Sequence, residues 1–305
     1  MNGIIIIDKP QGMTSHDVVS FMRRKTGVRR IGHSGTLDPM ATGVLPIFIG
    51  NATRIIEYVG FAYENNAKKY LCTMRLGLST DTLDIWGEEI RGDVDDDRID
   101  PKSIYTEEIE RVLKSFEGAS KQKPPMYSAV KVGGRKLYEY ARAGKSLDEE
   151  LIRERPIFIE SIEPIEYKND SNEVVFEIVC SKGVYVRTIC DDAGRMLGCG
   201  AVMSGLVRLA SDGFSIENAT PISSLEDMAG EDVEALLMPP EAALTGMPRA
   251  DLNEEAMLDF VNGRMAKSVS VIPPEANELC VFGPNSFLGI GLAKNGIIKP
   301  HKVIK

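Results

Sequence analysis

The sequence predicts an α+β fold with a small, mostly β module at its C-terminal end. Residues 3–8 are a β-branched run, and residues 68–77 alternate so that Tyr70, Cys72, Met74 and Leu76 share one face. Between such strands lie segments of helical spacing with capping residues at their starts. Near the end, short strand-like runs are separated by turn signals, the clearest being Asn295-Gly296.

Taken in order, the run over 3–8 reads as a buried strand. Thr14 and Asp17 have the spacing of a capping box, Val18, Val19 and Met22 give an apolar helical face, and Gly27 suits the C-cap. Arg23, Arg24, Lys25, Arg29 and Arg30 crowd the far end, where they complement the helix C-terminus and would suit phosphates. Residues 45–49 read as a short strand and 52–59 as a short helix. Residues 81–100 form an acidic, turn-rich excursion, in which Asp95-Asp96-Asp97 lacks EF-hand spacing and reads as a solvated turn. Thr106 reads as the cap of a helix that turns Ile109, Val112, Leu113 and Phe116 inward.

Residues 121–145 are basic, rich in Tyr, and broken by Pro124-Pro125 and Gly133-Gly134. That mixture suits a mobile arm that grips a nucleic-acid backbone and stacks on bases. It equally suits a surface hairpin followed by a short helix over 137–143. Residues 174–180 and 183–189 read as consecutive strands. In the second, period two puts Val184 and Val186 on one face and Tyr185 and Arg187 on the other. A helix over 191–197 follows. Beyond about residue 212, Pro221, Pro239, Pro240 and Pro248 among acids read as a linker region. A helix over 254–261 after Asn253 and strands over 267–272, 278–282, 287–293 and 297–304 complete the chain. The expected division is a body over residues 1–240 and the small module over 241–305.

The chain has 305 residues, 43% hydrophobic and 27% charged, an ordinary globular composition. No apolar run approaches the roughly 20 residues of a membrane helix. The first residues lack the basic stretch and the long apolar run of a signal peptide. Cys72, Cys180, Cys190, Cys199 and Cys280 are scattered without C-x-x-C spacing and read as free thiols, so a cytoplasmic location is expected. His16, His33 and His301 are far apart, and neither a metal nor a cofactor is expected.

A net charge of −9 argues at first against a nucleic-acid partner. The distribution argues the other way. Before Gly35, Lys9, Arg23, Arg24, Lys25, Arg29 and Arg30 stand against Asp8 and Asp17. Over residues 121–145, Lys121, Lys123, Lys131, Arg135, Lys136, Arg142 and Lys145 stand against Glu139. Phosphate contact depends on such local faces, not on the total.

Residues 31–46, from Ile31 to Pro46, read as a loop that holds one carboxylate. Gly32, Gly35 and Gly43 permit backbone angles that other residues avoid, and Pro39 restrains Asp38 toward an extended conformation. Leu37, Met40, Val44 and Leu45 can anchor the loop to a core. By itself this is also what an ordinary surface Asp-Pro turn looks like.

Asp8-Lys-Pro-Gln-Gly-Met-Thr-Ser15, the run from Gly32 to Pro46, Pro124-Pro-Met-Tyr-Ser-Ala-Val-Lys131 and Ser181-Lys-Gly-Val-Tyr-Val-Arg-Thr188 occur in this order. Together they resemble the TruB family of pseudouridine synthases over most of residues 3–210. The tail resembles, less specifically, a PUA-type RNA-binding domain. The resemblance implies a pseudouridine synthase fold, with a mixed, largely antiparallel central sheet flanked by helices. It implies that Asp38 is the catalytic aspartate and that Tyr70 stacks on the target uracil. It further implies that Arg187 pairs with the aspartate and that His33, Tyr185 and Leu206 contact substrate. Residues 121–145 fall where the family has its RNA-gripping insertion. One departure is Val207-Arg208-Leu209, where a second basic residue before Arg208 would be expected; it bears on one phosphate contact.

The implied substrate is the T-arm and TΨC loop of tRNA, modified at uridine 55 without guide RNA by a monomer. Breaking the N1–C1′ bond builds positive character on the sugar, which a carboxylate can meet as nucleophile or as counter-charge. Two other readings are a guide-RNA-dependent synthase of ribosomal RNA, disfavoured by the absence of strongly basic tails, and a non-catalytic tRNA-folding chaperone. Ser34, His33 and Asp38 lie in one short loop, which disfavours a hydrolase triad.

Overall fold

The computed structural model describes residues 1–60, 67–90, 98–144, 147 and 151–304. Asp95-Asp96-Asp97 and the end of the basic segment at Lys145 lie outside them. Two compact units are present: Met1–Asn66 with Ala210–Lys305, and Ala67–Leu209.

In the first unit, strand β1 (Gly3–Lys9) is an isoleucine run buried along almost its whole length. That suits a strand covered on both faces. It pairs antiparallel with β3 (Thr42–Ile49), from Gly3↔Ile49 to Lys9↔Gly43, and parallel with Thr220–Pro221. The short β2 (Ile31–His33) pairs with the other edge of β3. Helix α1 (Ser15–Thr26) carries both halves of the capping box at Thr14 and Asp17, and Gly27 closes it at φ 69°. Val18, Val19 and Met22 are its buried face, as expected. The expected helix over 52–59 is a 3-10 helix, Gly50–Tyr58. Its buried residues Ala52, Ile55 and Tyr58 recur every third position, the period of that helix.

The region after residue 212 is structured, against the expectation of a linker. Phe214–Ser215 pairs with Ala210 and Ser211, and Thr220–Pro221 pairs with β1. Ile4 and Met238 exchange both backbone hydrogen bonds, at 2.9 and 2.8 Å. Ile222, Leu225 and Val233 are buried. The prolines mislead because they occupy positions that need no N–H: Pro221 in a two-residue strand beside β1, and Pro240 at the start of a 3-10 helix.

The C-terminal residues form a five-stranded sheet in the order Arg249–Asp251, Glu278–Phe282, Phe287–Lys294, Ile297–Val303, Ala266–Lys267. Asn253 caps helix Glu254–Val261 by accepting from Ala256 N. Phe260 of that helix packs with Leu279, Val281, Leu288 and Ile298. Asn295 and Gly296 turn the hairpin at φ 53° and 74°. The strand expected over 267–272 is cut to two residues. There the hydroxyls of Ser268 and Ser270 bond backbone groups and each other in place of a ladder. A second apolar cluster joins Ile4, Ile6, Val44 and Phe48 to Ala243, Leu244, Cys280, Phe287 and Ile290, so this unit continues through residue 240.

In the second unit the strand order is Ala201–Ser211, β4 (Lys68–Leu76), Glu173–Cys180, Arg155–Lys168, Gly118–Gln122. The last two residues of Ala201–Ser211 belong to the first unit. Tyr70, Cys72, Met74 and Leu76 are buried on one face of β4, as the alternation predicts. Helix Thr106–Lys114 buries Ile109, Val112 and Leu113, with Tyr105, not Thr106, in the cap position.

The strand expected over 183–189 is corrected. Tyr185 is a helix N-cap, and Arg187 lies in helix Val186–Met196. Val184, Val186 and Ile189 suggested a strand by type. The buried Val186, Ile189, Cys190, Ala193 and Leu197 instead follow helical spacing.

Candidate active site

Asp38 is half-buried in the loop that joins β2 to β3. The loop is held from behind by the segment between β1 and α1. Ser15 Oγ accepts from Leu37 N at 2.8 Å and donates to Leu37 O at 3.0 Å. Gly12 N donates to Pro39 O at 2.8 Å, and Ala41 N to Asp38 O at 3.1 Å. Lys9 is fully buried at the end of β1. Its ammonium donates to Met13 O at 2.7 Å, Pro10 O at 2.9 Å and Pro39 O at 3.4 Å. A buried cation is tolerable only when so satisfied. Leu37, Met40 and Ala41 pin the loop to the core. Gly35 and Gly43 take φ 76° and 96°, the left-handed region. Gly32 does not; there the constraint is space, because a Cβ would sit 3.0 Å from Ile56 Cδ1.

His33 ends β2 opposite Ile47. Ser34 is buried, and its hydroxyl donates to Asp212 Oδ2 at 3.2 Å, beside Ser211 Oγ at 3.0 Å. Lys9, counted in the sequence with the basic residues of a phosphate-contacting face, is instead buried, and Ser15 was not singled out. The available signal was a lysine ending a strand whose body is an isoleucine run.

In the second unit Tyr70 is buried in β4 opposite Ile178. Two residues on, Cys72 Sγ lies 3.6 Å from Cys190 Sγ, which ties β4 to helix Val186–Met196. Burial, with the second thiol beside it, raises the Cys72 pKa well above its usual range. Arg187 is 4% exposed. Its Nη1 donates to Thr82 O at 3.1 Å and its Nη2 to Tyr127 O at 3.0 Å, with Asp84 Oδ2 3.9 Å from Nη1. Asp84 accepts from Thr82 Oγ1 at 2.8 Å and Trp86 N at 3.1 Å. Leu83 and Ile85 bond to Met203 through the backbone, so this turn is fixed to strand Ala201–Ser211. Leu206 is buried on the same strand.

Tyr185 is held at the helix start by Gln122, whose amide accepts from Tyr185 N at 2.8 Å and donates to Tyr185 O at 3.1 Å. Tyr127 OH donates to Asp81 Oδ2 at 2.8 Å, and this bond raises the Tyr127 pKa. Asp84, Thr82, Tyr127 and Gln122 are supports that the sequence reading missed. Asp84 was hidden in the acidic, turn-rich excursion over residues 81–100.

Arg208 is fully buried, so it is no exposed phosphate contact in this structure. The basic segment is the hairpin Lys131–Val132 and Arg135–Lys136 followed by helix Leu137–Arg142, the second of the two forms its sequence allowed. Lys136 and Arg142 approach the Tyr138 ring at 5.3 and 5.4 Å. Lys131 and Arg135 are exposed. Among the described residues no helix is long and apolar enough to cross a membrane.

The family model for the N-terminal domain of TruB family pseudouridylate synthases matches residues 23–186, and that for the tRNA pseudouridylate synthase B C-terminal domain matches 187–245. A protein of Alkaliphilus oremlandii (strain OhILAs) named tRNA pseudouridine synthase B is 42% identical over 301 residues, covering 97% of this chain and 94% of that one. One of the same name from Geobacillus kaustophilus (strain HTA426) is 39% identical over 287 residues, covering 93% and 98%. Among solved structures, a Cbf5–Nop10–Gar1 complex gives a chain with TM-score 0.71 at 24% identity, covering 99% of this chain and 84% of that chain. An H/ACA RNP bound to a substrate RNA containing 2′-deoxyuridine gives 0.70 at 20%, covering 99% and 85%. At those identities the likeness is one of fold.

Fold and matched domains together define the class as pseudouridylate synthases, which are isomerases. Within that class the chain belongs to the TruB family.

Proposed function

We propose that this chain converts uridine 55 in the TΨC loop of tRNA to pseudouridine, acting as a cytoplasmic monomer without guide RNA, with Asp38 as the reacting carboxylate. The observation that carries the reading is the Asp38 loop, a family motif whose backbone is held by Lys9, Gly12 and Ser15. The full-length relatives named tRNA pseudouridine synthase B support tRNA as the substrate.

The reaction breaks N1–C1′, turns the base, joins C5 to C1′ and releases the C5 proton. Asp38 meets the positive character on C1′ as nucleophile or counter-charge. In this reading Tyr70 stacks on the uracil, Arg187 pairs with the Asp38 carboxylate, and His33, Tyr185 and Leu206 contact the nucleotide. Flipping the base costs a few kcal/mol. Phosphate contacts from Arg24, Arg29, Lys131 and Arg135 offset it, with residues 241–305 as a PUA-like RNA-binding module.

The test uses an unmodified tRNA transcript tritiated at uridine C5, with no guide RNA added. Wild type should release tritium, and Asp38→Asn should lose on the order of 10³-fold in rate or more while still binding the tRNA. No release by wild type sinks the proposal. Release by Asp38→Asn near the wild-type rate removes Asp38 from the chemistry.

A further inference from the structure

Three buried side-chain hydroxyls, Ser128 Oγ, Thr188 Oγ1 and Tyr167 OH, have no hydrogen-bond partner among the described residues. Buried hydroxyls are nearly always partnered, so each exception asks for an explanation. Two of the three flank one bond. Ser128 follows Tyr127, whose carbonyl receives Arg187 Nη2 at 3.0 Å, and Thr188 follows Arg187 itself. Ser128 is only 5% exposed, and its backbone is fixed, with its carbonyl accepting from Tyr138 N at 3.1 Å. The backbone is therefore held, while the unused hydroxyl can turn about χ1 toward a ligand.

We propose that Ser128 is a further substrate-contacting residue, whose hydroxyl donates to an acceptor oxygen of the bound uridine nucleotide. The inference rests on the uridine-isomerising reading above. A hydroxyl that finds its partner only in the complex adds nothing to the stability of the free protein. It contributes to substrate recognition instead, because a site built around a hydrogen bond discriminates by it.

The experiment compares Ser128→Ala, Ser128→Cys and Tyr167→Phe in the tritium-release assay and in thermal unfolding of the full chain. Ser128→Ala should lower kcat/KM by about tenfold while its Tm stays level or rises, since it deletes an unpaired buried hydroxyl. Ser128→Cys, with its weak donor, should fall between. Tyr167→Phe should match wild type in turnover. Wild-type kcat/KM in Ser128→Ala overturns the proposal. So does a marked fall in its Tm, which would show that the hydroxyl serves the free fold, or an equal loss in Tyr167→Phe. If wild type itself releases no tritium, the uridine reading has failed, and Ser128→Ala binding uridine-containing and abasic tRNA with unchanged relative affinity would then overturn this inference on its own.

Discussion

The Asp38 loop and the Arg187 cluster are built by opposite means. The first is braced locally: its anchors, Lys9, Gly12 and Ser15, come from one neighbouring segment of the same unit. The second gathers Thr82, Asp84, Tyr127 and Gln122 from segments far from Arg187 and Tyr185 in the chain. A local brace survives as a short motif that can be recognised. A long-range one is spread over residues that look ordinary one at a time.

The comparison can be broken from either side. The largest effect is expected at Lys9→Met, which keeps the bulk of the side chain but leaves three carbonyls without their charged donor. It should cost about 3–5 kcal/mol in urea unfolding and lower tritium release with it. A wild-type urea midpoint would show that the brace does not depend on Lys9. Arg187→Lys comes next, because one ammonium cannot reproduce a fork that serves Thr82 O and Tyr127 O together. Turnover should fall by about 10- to 100-fold. Unchanged kinetics would reduce this cluster to packing. Gln122→Ala removes both bonds to the Tyr185 backbone and should cost about 1–2 kcal/mol, read by chemical denaturation. If the loss shows in turnover but not in stability, Gln122 acts on substrate and not on the helix start.

The smallest expected effect is a pH dependence away from both sites. Burial, with Glu278 and Glu57 near it, pushes the Tyr58 phenol up to about 12. The fold thus favours the neutral phenol relative to the unfolded chain, which titrates near 10. The contribution is complete below pH 10 and is lost as pH rises toward 12. Urea midpoints at pH 9 and pH 11 should differ less in Tyr58→Phe than in wild type, and an identical difference would assign the alkaline loss to other groups.

Much of the fold was legible where a single period ran clean. The alternation around Tyr70, the Thr14–Asp17 box, the Asn253 cap and the Asn295-Gly296 turn all appear where the residues place them. Legibility failed where residue type and spacing disagreed. Val184 and Val186 suggested a strand by type, while the wider spacing from Val186 to Leu197 was helical. Prolines after residue 212 suggested a linker because a proline that needs no N–H looks the same in sequence as one that breaks structure. In the site, Asp38 and its loop could be read from a motif. Asp84 and Gln122 could not, because only the fold brings them beside Arg187 and Tyr185.

The two bonds between Ile4 and Met238 also set an order of events on the ribosome. At roughly 5–20 residues per second, β1 waits on the order of ten to fifty seconds after its own synthesis for that partner. The unit spanning Ala67–Leu209 is continuous and can finish folding during the wait. Meanwhile the four consecutive isoleucines of β1 lack Thr220–Pro221 on their outer edge and the cover of Ala243, Leu244 and Phe287. Nascent chains halted before residue 210 should therefore carry a sticky amino-terminal strand that longer ones conceal.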